Sequence, residues 1–368
     1  MGNLFVVSTP FQLFVAQQII GQENLVDNIL VLGYGRHNED TYCLMIIPDY
    51  WKVIKYIEYI AEINVKHPFQ LINIHWSIHK ICSIYKIKNI YLGDINRLAN
   101  KLIAIKYSKK GYNIIYFEEG SSHYFYYPLS YPRNGIIYHM IAFLLDILLF
   151  FPLFHFGCGR FLLYKSLSWE KLPIYARYSI CPYYIHVYDK QLKIHEIFSE
   201  KLLEYISDDL KNIQHIKNIP KVLFLDQPFY QETSGRNNQF LKISELIYMQ
   251  IIEEYLIDNK IKYFIIKFHP RTELYIKNKI IYLLEQYQIQ YEILSPKYLI
   301  PVEYYLQKAD FDEIVTFLSS TILYNGLIYR KLKVVLLADR YLSLCEQNGL
   351  SADVLKEKVN QIKGIMSQ

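Results

Sequence analysis

The chain is poor in cysteine, and what it has follows no framework. Its five cysteines (Cys43, Cys82, Cys158, Cys181 and Cys345) are an odd number, widely spaced, with no C-x-x-C pair. That pattern excludes a disulfide scaffold and a zinc ribbon, and reads as small buried residues in a reducing compartment. There is no G-x-G-x-x-G and no Walker loop, which argues against a dinucleotide enzyme or a phosphate-loop ATPase. An arginine-rich arm, a zinc-knuckle spacing and a ribonucleoprotein-type aromatic motif are all missing, and the lysines and arginines are dispersed. A net charge of +5 favours anionic substrates or an anionic membrane face, and nucleic acid is not an expected partner. Residues 1–12 lack a basic segment followed by a long apolar run, so they read as a first β-strand rather than a signal peptide. The cytoplasm is the expected location.

What is present is apolar and aromatic. Of 368 residues, 52% are hydrophobic, enough to bury two cores, and the length suits two domains. The 36 tyrosines fit the codon bias of an AT-rich genome better than they fit sugar stacking. One run, 136–156, is long enough to cross a bilayer, but His139, Asp146, Pro152 and His155 interrupt it. A charge near a bilayer centre costs about 2.5–3.5 kcal/mol, so the run is expected to be a buried or surface-docked helix, with contact at the inner face of the cell membrane as the second reading.

Short apolar strands alternate with helical stretches in both halves. Runs 3–8 (NLFVVS), 28–32 (NILVL), 89–92 (NIYL) and 113–117 (NIIYF) read as strands. The same grammar restarts at 221–225 (KVLFL) and continues through 263–268, 291–294, 313–317 and 333–337, with helices at 240–258, 273–286, 302–308 and 322–330. Alternating β and α elements imply parallel sheets. The expected fold class is α/β, with two Rossmann-like parallel-sheet domains facing across a cleft. The boundary is placed near 218–221, giving a domain 1–218 and a domain 219–368. The polar helical stretch 189–217 lies between the halves, and a final helix at 352–365 is free to pack back on the first domain. Ligands of such sheets sit at the carboxyl ends of the strands.

Candidate residues therefore come from strand ends. After 113–117 stand Glu118, Glu119, Gly120 and Ser121: adjacent carboxylates raise one another's pKa, and the glycine lets the second be presented to the cleft. After 263–268 stand His269, Pro270 and Arg271, suited to a departing phosphate. After 313–317 come Ser319, Ser320 and Thr321 at an expected helix start, an anion site or simply a cap. Glu303, in a first helical turn, either caps that helix or holds ribose hydroxyls. Thr9 and Gln12 follow the first strand and could bind a sugar, and Asp226 and Glu232 follow 221–225 as a second source of carboxylates. The triplet Asp310-Phe311-Asp312 matches a D-x-D metal motif but precedes a strand, at the wrong end of the sheet. No other spacing suggests a metal.

In order and placement, Glu118-Glu119-Gly120, His269-Pro270 and Ser319-Ser320-Thr321 resemble the motifs of the bacterial sialyltransferases. The opening STPFQLFVAQQI resembles the first strand and helix of glycosyltransferase family 52, which contains capsule and lipooligosaccharide sialyltransferases. Glu-Glu stands where Asp-Asp is commoner, a variation shared with the related bacterial polysialyltransferases. The resemblance implies a GT-B fold, an inverting mechanism, CMP-sialic acid as donor substrate, a galactose-terminated glycan acceptor with an α2,3 linkage, and no cofactor or metal. It leaves room for a homodimer. In that reading Glu119 is the general base, with Asp226 or Glu232 as the alternative, and Thr9, Gln12, Glu118, Gly120 and Ser121 line the acceptor side. His269, Pro270, Arg271, Glu303, Ser319, Ser320 and Thr321 hold the donor. Two other readings stay open: a GT-B transferase for another sugar nucleotide, and a non-enzymatic, membrane-docked capsule assembly protein.

Overall fold

The computed structural model describes residues 2–34, 39–58, 68–94, 98–118, 172–181, 189–233 and 238–366. Chain contacts divide it into two compact units, Met1–Ser199 and Glu200–Gln368.

The described strands of the first unit are β1 (Gly2–Val7), β2 (Asn28–Tyr34), β3 (Val53–Glu58), β4 (Ile87–Leu92), β5 (Asn113–Phe117), β6 (Ala176–Ser179) and β7 (Asp189–Gln191). They form one parallel sheet in the order β3-β2-β1-β4-β5-β6-β7. Helices α1 (Pro10–Glu23), α2 (Glu39–Met45), α3 (Pro68–Ile84) and α4 (Leu98–Ser108) connect the early strands. β1 is buried along its whole length, as a continuous apolar run in a central parallel strand should be.

Two polar devices set the register of this sheet. Asn3, Asn28, Asn89 and Asn113 each begin or nearly begin a strand and lie side by side across β2-β1-β4-β5. Their side chains form a ladder: Asn113 donates to Asn89, Asn89 to Asn3 and Asn3 to Asn28, each at 2.9 Å. In α1, Gln17, Gln18 and Gln22 each reach an irregular stretch of chain. Gln18 accepts from the His195 amide at 2.8 Å and donates to the His195 carbonyl at 2.9 Å. Gln17 does the same between the Ile47 amide and the Met45 carbonyl. These pairs satisfy partly buried backbone groups that have no strand partner.

The second unit contains α5 (Glu200–His215), β8 (Val222–Leu225), α6 (Phe229–Thr233), α7 (Asn238–Asp258), β9 (Tyr263–Lys267), α8 (Leu274–Gln286), β10 (Gln290–Ile293), α9 (Val302–Lys308), β11 (Glu313–Thr316), β12 (Lys333–Leu336), α10 (Ala338–Gln347) and α11 (Asp353–Met366). Its sheet is parallel, in the order β10-β9-β8-β11-β12.

Three expectations change here. The break between units falls at Ser199/Glu200, not near 218–221, because α5 packs into the second unit. Asp209 on α5 accepts from the Ser295 amide (3.1 Å) and the Tyr305 hydroxyl (2.6 Å), and Asn212 donates to Glu292. The stretch 189–217 is helical only from Glu200; its start pairs as β7. The helix expected over 322–330 is a 3₁₀ turn, Ser320–Tyr324, ended by Asn325, whose side chain bridges both backbone groups of Leu332. The final helix α11 packs on α10 and on this 3₁₀ turn. Cys82, Cys181 and Cys345 are buried as expected, whereas Cys43 is exposed. No helix among the described residues is long and apolar enough to cross a membrane; the run 136–156 lies outside them.

Candidate active site

In the second unit, β8, β9 and β10 run outward one way, and β11 and β12 the other. The reversal lies between β8 and β11, where open α/β sheets bind ligands beyond the carboxyl ends of the strands. Asp226 follows β8, His269 follows β9 two residues on, and Ser319 stands three residues beyond β11.

Asp226 is the hub of this edge. It is 4% exposed. One carboxylate oxygen accepts from the His269 amide at 3.1 Å and from the Thr272 hydroxyl, and the other accepts from the hydroxyl of Tyr248 on α7. The Thr272 amide in turn donates to the His269 carbonyl at 3.0 Å, so one carboxylate pins both ends of the His-Pro-Arg turn. Burial raises the Asp226 pKa, against the pull of those donors. A carboxylate so enclosed fits positioning better than the general-base role left open for it.

The His269 ring is oriented by its own turn. The Arg271 amide donates to His269 Nδ1 at 3.1 Å, which makes Nδ1 the acceptor and leaves the proton on Nε2. Burial first, then the charges of Arg271 and Lys277, lower the His269 pKa to about 4. The ring is therefore a neutral Nε2–H donor at neutral pH.

The hydroxyls after β11 form a relay. Ser319 Oγ caps the 3₁₀ turn by accepting from the Thr321 amide and donates to Thr321 Oγ1 at 3.1 Å. Thr321 Oγ1 donates to Glu303 Oε1 at 2.9 Å. Glu303, in the first turn of α9, is buried, and burial raises its pKa. Ser320 stays half-buried. The expected long helix start is reduced to hydroxyls and a short turn, and Glu303 is tied to Thr321.

Lys267, the last residue of β9, was missed by sequence reasoning. Its signal was a cation ending an otherwise apolar strand, YFIIKF. Burial lowers its pKa to about 8, opposed by Asp209 and Glu303.

In the first unit the reversal of strand order lies between β1 and β4. Thr9 caps α1 by accepting from the Gln12 amide at 3.2 Å. Gln12 is fully buried, and its Oε1 accepts from the Ser8 amide at 2.6 Å. It lies against Gly93 after β4: a Cβ there would sit 2.6 Å from Gln12 Cδ. Glu118 is also fully buried and accepts from the Ile180 amide at 2.6 Å, tying β5 to the end of β6. Gln12 and Glu118 thus shape this edge from beneath rather than facing a sugar. Glu119, Gly120 and Ser121 lie outside the described residues, as does the side chain of Glu232 on α6. Asp312 spends an oxygen on the Lys221 amide at 2.8 Å, at the amino end of β11. Asp310 lies 3.7 Å from Arg330.

A family model, alpha-2,8-polysialyltransferase (POLYST), matches residues 3–338. The chain belongs to the alpha-2,8-polysialyltransferase family. That makes this polysialyltransferase-family protein a sialyltransferase-type glycosyltransferase, with a nucleotide-sugar donor and a glycan acceptor. No curated protein matches it. Among solved structures, the UDP-GlcNAc 2-epimerase from Methanocaldococcus jannaschii is similar at 14% identity, with 94% of this chain and 92% of that one covered and a TM-score of 0.50. The same epimerase in complex with UDP-GlcNAc and UDP is similar at 13% identity, 94% and 92% coverage and a TM-score of 0.50. A glycosyltransferase from Rickettsia africae ESF-5 is similar at 12% identity, 90% and 78% coverage and a TM-score of 0.46. With the two parallel sheets, the epimerase likeness establishes the GT-B fold. In this family member the strand ends that carry His269 and Ser319–Thr321 are those of a Rossmann-like domain at its switch point.

Proposed function

We propose that the protein is an inverting sialyltransferase that moves sialic acid from CMP-sialic acid onto a hydroxyl of a surface glycan, without a metal. The observation that supports this reading is that, in a polysialyltransferase-family chain, His269 follows β9 and the linked Ser319, Thr321 and Glu303 follow or adjoin β11, the two strands that flank β8. The family match favours a sialylated acceptor and an α2,8 linkage over the galactose acceptor and α2,3 linkage expected from the motifs. A role in capsule or lipooligosaccharide synthesis belongs to the same proposal.

In the proposed step the acceptor hydroxyl loses its proton to Glu119 and its oxygen attacks the anomeric carbon. The bond to the phosphate oxygen breaks through an oxocarbenium-like transition state, and its electron pair leaves with CMP. His269 donates a hydrogen bond from Nε2 to that phosphate. A phosphomonoester has a second pKa of about 6, so the departing group needs charge stabilisation more than a full proton. Ser319, Ser320 and Thr321 supply further donors, and Glu303 takes the ribose hydroxyls. A nucleoside monophosphate carries no diphosphate for a metal to neutralise.

The test is incubation with CMP-sialic acid and a panel of labelled lactosides and sialyl-lactosides, read by mass spectrometry, with and without EDTA. Transfer to sialyl-lactoside, undiminished by EDTA, supports the reading. No sialyl product, with tight binding of a UDP-sugar and none of CMP, overturns it. Glu119→Gln is expected to lose transfer by about 10²-fold or more while Glu118→Gln retains more activity; an active Glu119→Gln protein moves the base elsewhere.

A further inference from the structure

Beside His269 a cavity of about 280 Å³ opens between the carboxyl ends of β9 and β10 and the start of α8, and Lys267 and Lys277 both line it. Its remaining wall is largely apolar, with Phe268, Leu274 and Leu294 among the contributors. Among the described residues neither lysine forms an ion pair, although Asp209 and Glu303 act on Lys267 and Asp226 on Lys277 through space. Lys267 Nζ makes one long hydrogen bond, 3.5 Å to the Leu294 carbonyl. Lys277 Nζ stands 5.5 Å from the Phe268 ring centroid. Those carboxylates hydrogen-bond to other groups: Asp209 Oδ2 to the Ser295 amide and Tyr305 hydroxyl, Glu303 Oε1 to Thr321, and both oxygens of Asp226 to Tyr248, His269 and Thr272.

A largely buried ammonium with one weak hydrogen bond carries most of its desolvation cost uncompensated. The strand end that orients His269 thus also presents two cations to a partly apolar pocket. Such a lining suits a carboxylate attached to a carbon skeleton better than a freely solvated ion. The phosphate of a nucleotide donor is already provided for by His269 and the hydroxyls after β11. CMP-sialic acid carries a second anion, a carboxylate on the carbon that bears the phosphate, so a group binding beside His269 brings that carboxylate within a few ångströms.

We propose that the Lys267–Lys277 cavity is a subsite for the carboxylate of the donor's sugar, so that the two lysines select a sialyl nucleotide over a neutral sugar nucleotide. The proposal rests on the donor reading above. The cations would act by binding and orienting the donor, while the hydroxyl relay takes the phosphate.

The experiment is calorimetric titration of the full chain with CMP and, separately, with CMP-sialic acid. Lys267→Met and Lys277→Met are each expected to weaken CMP-sialic acid by about tenfold or more, the scale of one charge-assisted hydrogen bond, and CMP by no more than a few-fold. Equal losses for both ligands assign the cations to the phosphate and overturn the subsite. Unchanged CMP-sialic acid affinity in folded variants overturns it as well. Lys277 sits in the first turn of α8 and is half-buried, so its variant decides the matter even if Lys267→Met does not fold. Wild-type protein that binds no CMP removes the donor reading and the subsite with it, whereas wild-type binding with unaffected variants removes the subsite alone.

Discussion

His269 offers the most direct physical test of the site. Burial, Arg271 and Lys277 lower its pKa from 6.5 to about 4, while its Nδ1 accepts from the Arg271 amide and its own amide is held by Asp226. The folded-state pKa lies below the unfolded value, so in this window the unfolded chain binds the proton more tightly. The neutral ring therefore contributes stability that is complete above about pH 6.5 and is lost as the pH falls toward 4. At about 1.4 kcal/mol per pKa unit the full fall is worth about 3 kcal/mol, and partial exposure of the ring reduces this to about 2 kcal/mol. The assay is an NMR titration of histidine ring carbons, with His269 assigned by the resonance missing from His269→Gln. Without ligand the ring is expected to stay neutral down to about pH 5. Saturating CMP places a phosphate against Nε2–H and favours the imidazolium, so the titration should move up by more than one pH unit. A His269 ring that titrates near 6.5 in the free protein refutes the local electrostatics, and one that ignores CMP refutes the phosphate contact. His269→Ala should then lose about 10²-fold in transfer if the contact acts in the transition state.

Two further substitutions probe the frame. Asp226→Asn replaces an oxygen that receives a donor with an amide that must face one, so it should destabilise the second unit by about 2–4 kcal/mol and lower transfer; Tyr248→Phe, which removes one donor and keeps the carboxylate, should cost only about 1 kcal/mol. An Asp226→Asn protein of normal stability with no transfer returns Asp226 to the role of base. Asn3→Ala removes the middle of the asparagine ladder, leaving Asn89 without its acceptor and Asn28 without a donor, at a cost of about 2–4 kcal/mol, against about 1 kcal/mol for Asn113→Ala at its end. Trp51 and Trp76 lie in the first unit and the second has no tryptophan in its sequence, so tryptophan fluorescence during urea unfolding reports the first unit's stability; equal midpoints for both variants contradict the ladder.

The sequence by itself determined the alternating grammar and most of the central strands, but not β3, β6 or β7. Runs such as NIIYF and YFIIKF are short, apolar and bounded by polar turns, and each became a parallel strand because β-branched and aromatic residues buried on both faces have few other stable arrangements. Strand ends are also legible, which is why His269, Ser319 and Thr321, each just past a strand, could be named as candidates from sequence. The asparagines that open four strands were visible in sequence too, but their meaning needed the register: only the order β2-β1-β4-β5 brings them side by side. Tyrosine shows the same limit. Composition suggested codon bias or sugar stacking, whereas Tyr248, Tyr255, Tyr275, Tyr287 and Tyr305 donate hydroxyl protons to Asp226, Glu313, Glu245, Glu253 and Asp209.

Only the tertiary structure decided which polar groups are spent and which remain available. Asp226, Glu118 and Gln12 stand at strand ends and so read as site residues, yet each is buried holding a backbone amide. Lys267 read as an ordinary strand residue, yet it lines a cavity and forms no ion pair among the described residues. The allegiance of α5 likewise hangs on Asp209 reaching Ser295 and Tyr305, 86 and 96 residues away. The physical reason is common to all of these. Strand identity follows from local apolar pattern, whereas the role of a polar side chain depends on whether distant backbone arrives to claim its hydrogen bonds.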